Sequence, residues 1–122
     1  ENGCEILTKN MIKTVEDIER FKGKSQDFLN RVFTFHELEY CLKFSKPESH
    51  LAARFCAKEA VVKALTALDI EGVSYNEIEV FHNEKQCPQI RILKSLEKNI
   101  IFQLSLSHDR SKAIAFVTAE EQ

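Results

Sequence analysis

Ser49–Leu68, SHLAARFCAKEAVVKALTAL, is the stretch that decides how this chain folds. It contains neither Gly nor Pro and is rich in Ala, Leu, Lys and Glu, the strong helix formers. Pro47 breaks the chain just before it, so the spacing predicts one long helix over 49–68. Leu51, Phe55, Val62 and Leu65 give this helix an inner face, and Arg54, Lys58, Glu59 and Lys63 concentrate toward the other side.

Upstream, Thr34-Phe35-His36-Glu37 is a capping-box pattern that opens a shorter helix, with Phe35, Leu38 and Leu42 at helical spacing. Before it, Thr14-Val15-Glu16-Asp17 reads as a helix start, with Thr14 as N-cap, Ile18 and Phe21 facing inward and Gly23 as its end. Arg31–Thr34 then closes the connection that follows Gly23, and Gly3–Leu7 fits an opening strand. Downstream of Gly72 the period changes to two. Ile78 and Val80, then Ile90 and Ile92, then Phe102, Leu104 and Leu106 alternate with polar neighbours, and Ala113–Val117 returns as an apolar strand. A short helical piece is expected at Ser95–Asn99, and the polar turn His108–Ser111 implies a C-terminal hairpin. The expected fold is α+β: a single domain over residues 1–122, with the long helix packed on a mostly antiparallel sheet.

Composition narrows the function. Lys and Arg total 17 against 19 Asp and Glu, so the net charge of −2 gives no global attraction to nucleic acid. The apolar runs fall far short of the roughly 20 residues needed to span a bilayer, so no membrane partner is expected. No charged-then-apolar leader opens the chain, and Cys4, Cys41, Cys56 and Cys87 form no CxxC pair. A cytoplasmic protein with reduced, mostly buried thiols is the expectation.

Glu59 and Lys63 lie four apart on one helix face, and Arg54 and Lys58 form a second such pair. A carboxylate supplies a hard oxygen for Mg²⁺ and the cations neutralise phosphate oxygens, yet spacing alone equally fits ordinary solvated ion pairs. His108, beside Asp109 at a strand end, could accept a proton or line a ligand site, or be a solvated turn residue. Glu5 in an apolar strand must be paired, metal-bound or at the strand's wet end.

Taken together, Arg31–Leu65 (RVFTFHELEYCLKFSKPESHLAARFCAKEAVVKAL) resembles the holo-acyl-carrier-protein synthase family within the phosphopantetheinyl transferases. Arg54–Ala64 is similar to that family's R-F-A-A-K-E-A-x-x-K-A, and Ser105–Asp109 to its (V/I)S(I/L)SH(D/T). The resemblance implies transfer of 4′-phosphopantetheine from coenzyme A to a serine of an apo-acyl carrier protein, with Mg²⁺ and release of adenosine 3′,5′-bisphosphate. It implies Glu59 and Lys63 as catalytic, Glu5 and Glu59 as metal ligands, and Arg54, Lys58, Lys63 and His108 as coenzyme A ligands. It implies carrier docking through Arg20, Lys22, Lys24 and Arg31, which could otherwise be a solvated basic face, and a homotrimer. Two departures stand out. Gly3-Cys4-Glu5-Ile6 matches the family's G-(I/V/T)-D-I only if extra residues precede Ile18-Glu19-Arg20-Phe21, whereas ungapped alignment puts Thr14 at the ligand position. Two glycine turns are replaced by Thr66-Ala67-Leu68-Asp69 and Lys85-Gln86-Cys87-Pro88, which leaves open a carrier-binding relative with impaired turnover.

Overall fold

The computed structural model describes the backbone of residues 5–6 and all of residues 11–122. Strands β1 (Glu5–Ile6) and β2 (Met11–Asp17) lead into a 3-10 turn at Ile18–Phe21. Helices α1 (Gln26–Val32), α2 (Phe35–Cys41) and α3 (Glu48–Ala67) follow. A second 3-10 turn at Tyr75–Glu77 then precedes β3 (Ile78–His82), β4 (Pro88–Ile92), β5 (Ile100–His108) and β6 (Lys112–Glu121). A four-stranded sheet runs in the order β1-β2-β6-β5, and β3 and β4 form a separate ribbon; every pairing is antiparallel. The α+β reading holds. Of the proposed opening strand, Glu5–Ile6 pair with Lys13 and Ile12 through the backbone, and the rest lies outside the described residues.

Three local expectations give way. Thr14 sits in the middle of β2, not at a helix start. The β-branched Ile12, Thr14 and Val15 suit a pleated strand, and all seven β2 residues find partners from Thr118 back to Lys112 on β6, which outweighs the capping chemistry. The connection between Gly23 and Thr34 contains α1, capped at Ser25, whose Oγ accepts from the Phe28 N–H at 3.2 Å. Residues 95–99 form no helix and carry the chain from β4 to β5. The capping box at Thr34 and Glu37 is present as expected, with both reciprocal bonds formed.

Helix α3 lies across β2 and β6 and also meets β3 and β5. Its first half shares a core with Phe21, Leu29, Phe33, Leu38, Cys41 and Ala113. Its second half packs on Ile12, Ile78, Val117 and Ala119. Small residues at 52, 53, 57, 60 and 64 let the sheet approach closely, so the helix is buried nearly all round. Its charged residues are therefore not a solvated face: Arg54, Lys58 and Glu59 are buried, and Lys63 is exposed.

Candidate active site

Cys56 anchors the seam between α3 and the sheet. Its thiol donates to the Ala113 carbonyl at 3.3 Å, and its own carbonyl accepts from the Thr14 hydroxyl at 2.6 Å. One helical turn on, Glu59 is only 6% exposed. A carboxylate that deep is not part of a solvated face. Lys63, one further turn along, reaches solvent. The expected pair thus consists of an inward acid and an outward amine.

Glu16 enters the same seam from β2. Alternation along the strand turns Ile12, Thr14 and Glu16 toward the core, and Glu16 is 3% exposed. Its Oε1 accepts from Arg20 at 2.5 Å, and its Oε2 is buried with no hydrogen-bond partner among the described residues. After burial itself, the charges of Glu16 and Glu59 both push the Cys56 thiol upward, to about 12. The Tyr75 hydroxyl is raised by burial and then by Glu59 and Glu16. Both carboxylates therefore converge on one small region.

Lys58 points elsewhere. Its ammonium is fully buried and donates to Glu37 Oε1 at 2.7 Å, to the Tyr75 carbonyl at 2.8 Å and to the Ile78 carbonyl. Glu37 completes the knot by accepting from the backbone N–H groups of Val80 at 2.7 Å and Thr34 at 2.9 Å. All three ammonium protons are engaged inside the protein, so the residue expected at a phosphate instead ties α3 to α2 and β3. Burial lowers the Lys58 pKa, and Glu37 opposes that shift.

Arg54 fits a ligand site better. Its guanidinium lies over the Tyr40 ring at 4.4 Å and makes only long contacts, to the His50 carbonyl at 3.4 Å and His82 Nδ1 at 3.5 Å. Its Nε–H is buried and donates to no partner among the described residues. His50 and His82 are both held below the ordinary imidazole range, by burial first and by Arg54 next. His108 stands 5.9 Å from His50, ring to ring, and lines an open cleft of about 660 Å³ with Lys22, Lys46 and Arg110. The structure thus gathers Arg54, His108 and two histidines that spacing did not single out.

Of the residues expected at the carrier, Lys22, Lys24 and Arg31 are exposed, with Lys24 over the Phe28 ring at 5.0 Å. Arg20 is shared with Glu16. The Glu5 side chain lies outside the described residues; its backbone belongs to β1, the edge strand beyond β2. Sequence reasoning gave no site role to Glu16, His50 or His82, and read Glu37 only as part of the cap. The available signal was a charged residue at the third step of an Ile12-Thr14-Glu16 alternation.

An acid-bearing central helix thus lies on an antiparallel sheet beside an open cleft that carries both basic and acidic side chains. Residues 15–117 match the family model described as the 4′-phosphopantetheinyl transferase superfamily. A holo-[acyl-carrier-protein] synthase of Thermodesulfovibrio yellowstonii is 40% identical over 115 residues, covering 94% of this chain and 93% of that one. The Protochlamydia amoebophila holo-[acyl-carrier-protein] synthase is 40% identical over 117 residues, covering 90% and 96%. Among solved structures, a Bacillus anthracis holo-(acyl-carrier-protein) synthase in complex with CoA (3′,5′-ADP) superposes with a TM-score of 0.75 at 26% identity, over 92% and 95% of the two chains. The Helicobacter pylori holo-[acyl-carrier-protein] synthase in complex with coenzyme A gives 0.73 at 28% identity, over 90% and 99%. The chain belongs to the 4′-phosphopantetheinyl transferase superfamily, and it is an enzyme of the holo-[acyl-carrier-protein] synthase group. No described helix is long and apolar enough to cross a membrane.

Proposed function

We propose that this chain transfers 4′-phosphopantetheine from coenzyme A to a serine hydroxyl of an apo-acyl carrier protein in the cytoplasm, with Mg²⁺ and release of adenosine 3′,5′-bisphosphate. The observation that carries this reading is Glu59: a carboxylate buried on α3, one turn before an exposed lysine, in a chain of this family.

The donor chemistry fits the metal. Magnesium takes hard oxygens and is commonly held by one or two carboxylates together with substrate phosphates, not by a closed protein cage. Among the described residues no group of three or more His, Cys, Asp or Glu side chains is placed to hold a metal ion. Glu59 would hold the ion, and Glu5 is the sequence candidate for its companion. When bound, magnesium would neutralise and align the diphosphate oxygens.

The remaining steps fall to side chains. Arg54 and His108 would bind coenzyme A phosphates, with the 660 Å³ cleft as the entrance. Lys63, free to swing in solvent, would neutralise the oxygen on which charge builds as the diphosphate bridge breaks. The serine oxygen forms a bond to the phosphorus bearing the pantetheine arm, and the bond from that phosphorus to the bridging oxygen breaks. Glu59 would orient the hydroxyl and receive its proton. Positioning and charge neutralisation supply most of the rate in such transfers.

Exposed Lys22, Lys24 and Arg31 would steer an acidic carrier. A homotrimer is part of this proposal, supported by the apolar Leu93 and Ile101, about half exposed on a single chain at 50% and 49%. The test is intact mass of an apo-acyl carrier protein after incubation with coenzyme A and Mg²⁺. A gain of one phosphopantetheine arm is expected, lost without Mg²⁺ or with Glu59→Ala. A carrier bound but never gaining mass would instead support a non-catalytic docking relative.

A further inference from the structure

We infer that Glu16, contributed by β2, is the second carboxylate for the divalent cation in this chain. The inference rests on the metal-dependent reading above and identifies Glu59's companion. Three observations lead to it.

First, β2 runs without interruption into Ile18–Phe21, so the strand that packs on α3 is Met11–Asp17, and β1 lies one strand further out. Among the β2 residues that face α3, Glu16 is the one that carries a charge. Thr14, its neighbour on that face, is committed to the Cys56 carbonyl. Second, Glu16 is level with Cys56: it pairs with Ala113, whose carbonyl receives the Cys56 thiol. Glu59 lies three residues beyond Cys56, about 4.5 Å of helix rise. A pair of carboxylates at that offset, both felt by the Tyr75 hydroxyl, can close on one small cation. Third, Glu16 Oε2 is buried and accepts no hydrogen bond from any described residue. Arg20 engages only the other oxygen. A buried carboxylate oxygen without a donor is expensive unless a positive ion completes it. A divalent cation does so with the hard ligand type it prefers.

The probe is Mn²⁺, whose free-ion paramagnetic resonance signal falls on binding, titrated in the presence of coenzyme A. Wild type should bind it, and Glu16→Gln should weaken binding by at least about tenfold, the loss that even an outer partner of a metal ligand produces. Glu5→Gln should leave it within about twofold of wild type. Circular dichroism checks that each variant is folded. Should Glu16→Gln fail to fold, Glu16→Asp keeps the charge but shortens its reach, and its Mn²⁺ affinity should still fall. Unchanged affinity in either folded Glu16 variant, alongside loss in Glu59→Gln, overturns this assignment alone. Loss in Glu5→Gln with retention in Glu16→Gln overturns it in favour of β1. Wild type that binds no Mn²⁺ with coenzyme A overturns the metal-dependent reading as well.

Discussion

Lys58→Met separates two roles for one residue. The sequence motif places Lys58 at a phosphate; the structure places its ammonium at 0% exposure against Glu37, with two backbone carbonyls taking the other protons. Methionine keeps the stem's volume and removes the charge. Breaking a buried pair by removing one partner costs about 3–5 kcal/mol, because the remaining charge stays desolvated. Here Glu37 retains its bonds from the Val80 and Thr34 N–H groups, which softens the loss, while the Tyr75 and Ile78 carbonyls lose a donor, which adds to it. About 4 kcal/mol is the expected fall in urea unfolding free energy, a large part of the 5–15 kcal/mol typical of a domain. Glu37→Gln on the Lys58→Met background should couple by about 1–3 kcal/mol rather than add, since the two residues share one knot. Coenzyme A affinity of the folded fraction, measured by calorimetry, should stay within about twofold of wild type. A variant as stable as wild type whose coenzyme A affinity drops tenfold or more would refute the structural role and restore Lys58 to the phosphates.

Other expectations follow from the thiols, the histidines and the turns. Among Cys41, Cys56 and Cys87, native-state alkylation should label Cys87 first, because it is exposed while burial pushes Cys41 to about 11 and Cys56 to about 12; peptide mapping reads the order. His50 and His82 have folded pKa values below the ordinary 6.5, so below that pH the unfolded chain takes up protons that the folded one refuses. Stability should therefore fall as pH drops below 6.5, and His50→Gln or His82→Gln should flatten that slope in thermal melts. Gln86 adopts φ 64 in the β3–β4 turn, a conformation costly for a side chain of this kind, so Gln86→Gly should raise unfolding free energy by about 1 kcal/mol; an unchanged or lower value would show the turn is not strained.

The turns also show how the chain dispenses with glycine. Asp69, at φ 62, makes the left-handed step after α3, and Gln86 makes it before Pro88. Aspartate tolerates that conformation better than most side chains, whereas glutamine has no such local compensation. Backbone reversals expected from glycine are thus present without it. The replaced motifs do not remove the turns, though they put side chains where the family has hydrogen atoms.

What the sequence disclosed depended on whether a signal was local. The Thr34 capping box, the long helix after Pro47 and the alternating C-terminal strands are read within a few residues, and each is present. The failures share a cause. Thr14-Val15-Glu16-Asp17 carries good helix-start chemistry, yet β6 supplies partners from about a hundred residues away, and no local pattern announces them. The same distance misled the reading of α3. Viewed alone, a helix with four charged residues on one side has a wet face. Packed against β2, β6 and β3, it has almost none, because alanines at 52, 53, 57, 60 and 64 bring neighbours in on several sides at once. Its charges then separate by partner rather than by spacing. Lys58 meets a buried glutamate and becomes structural, Arg54 meets an aromatic ring and keeps weak contacts that a phosphate could replace, and Glu59 meets the strand that brings in Glu16. A motif names the residue types; the opposing surface decides which of them can reach a ligand.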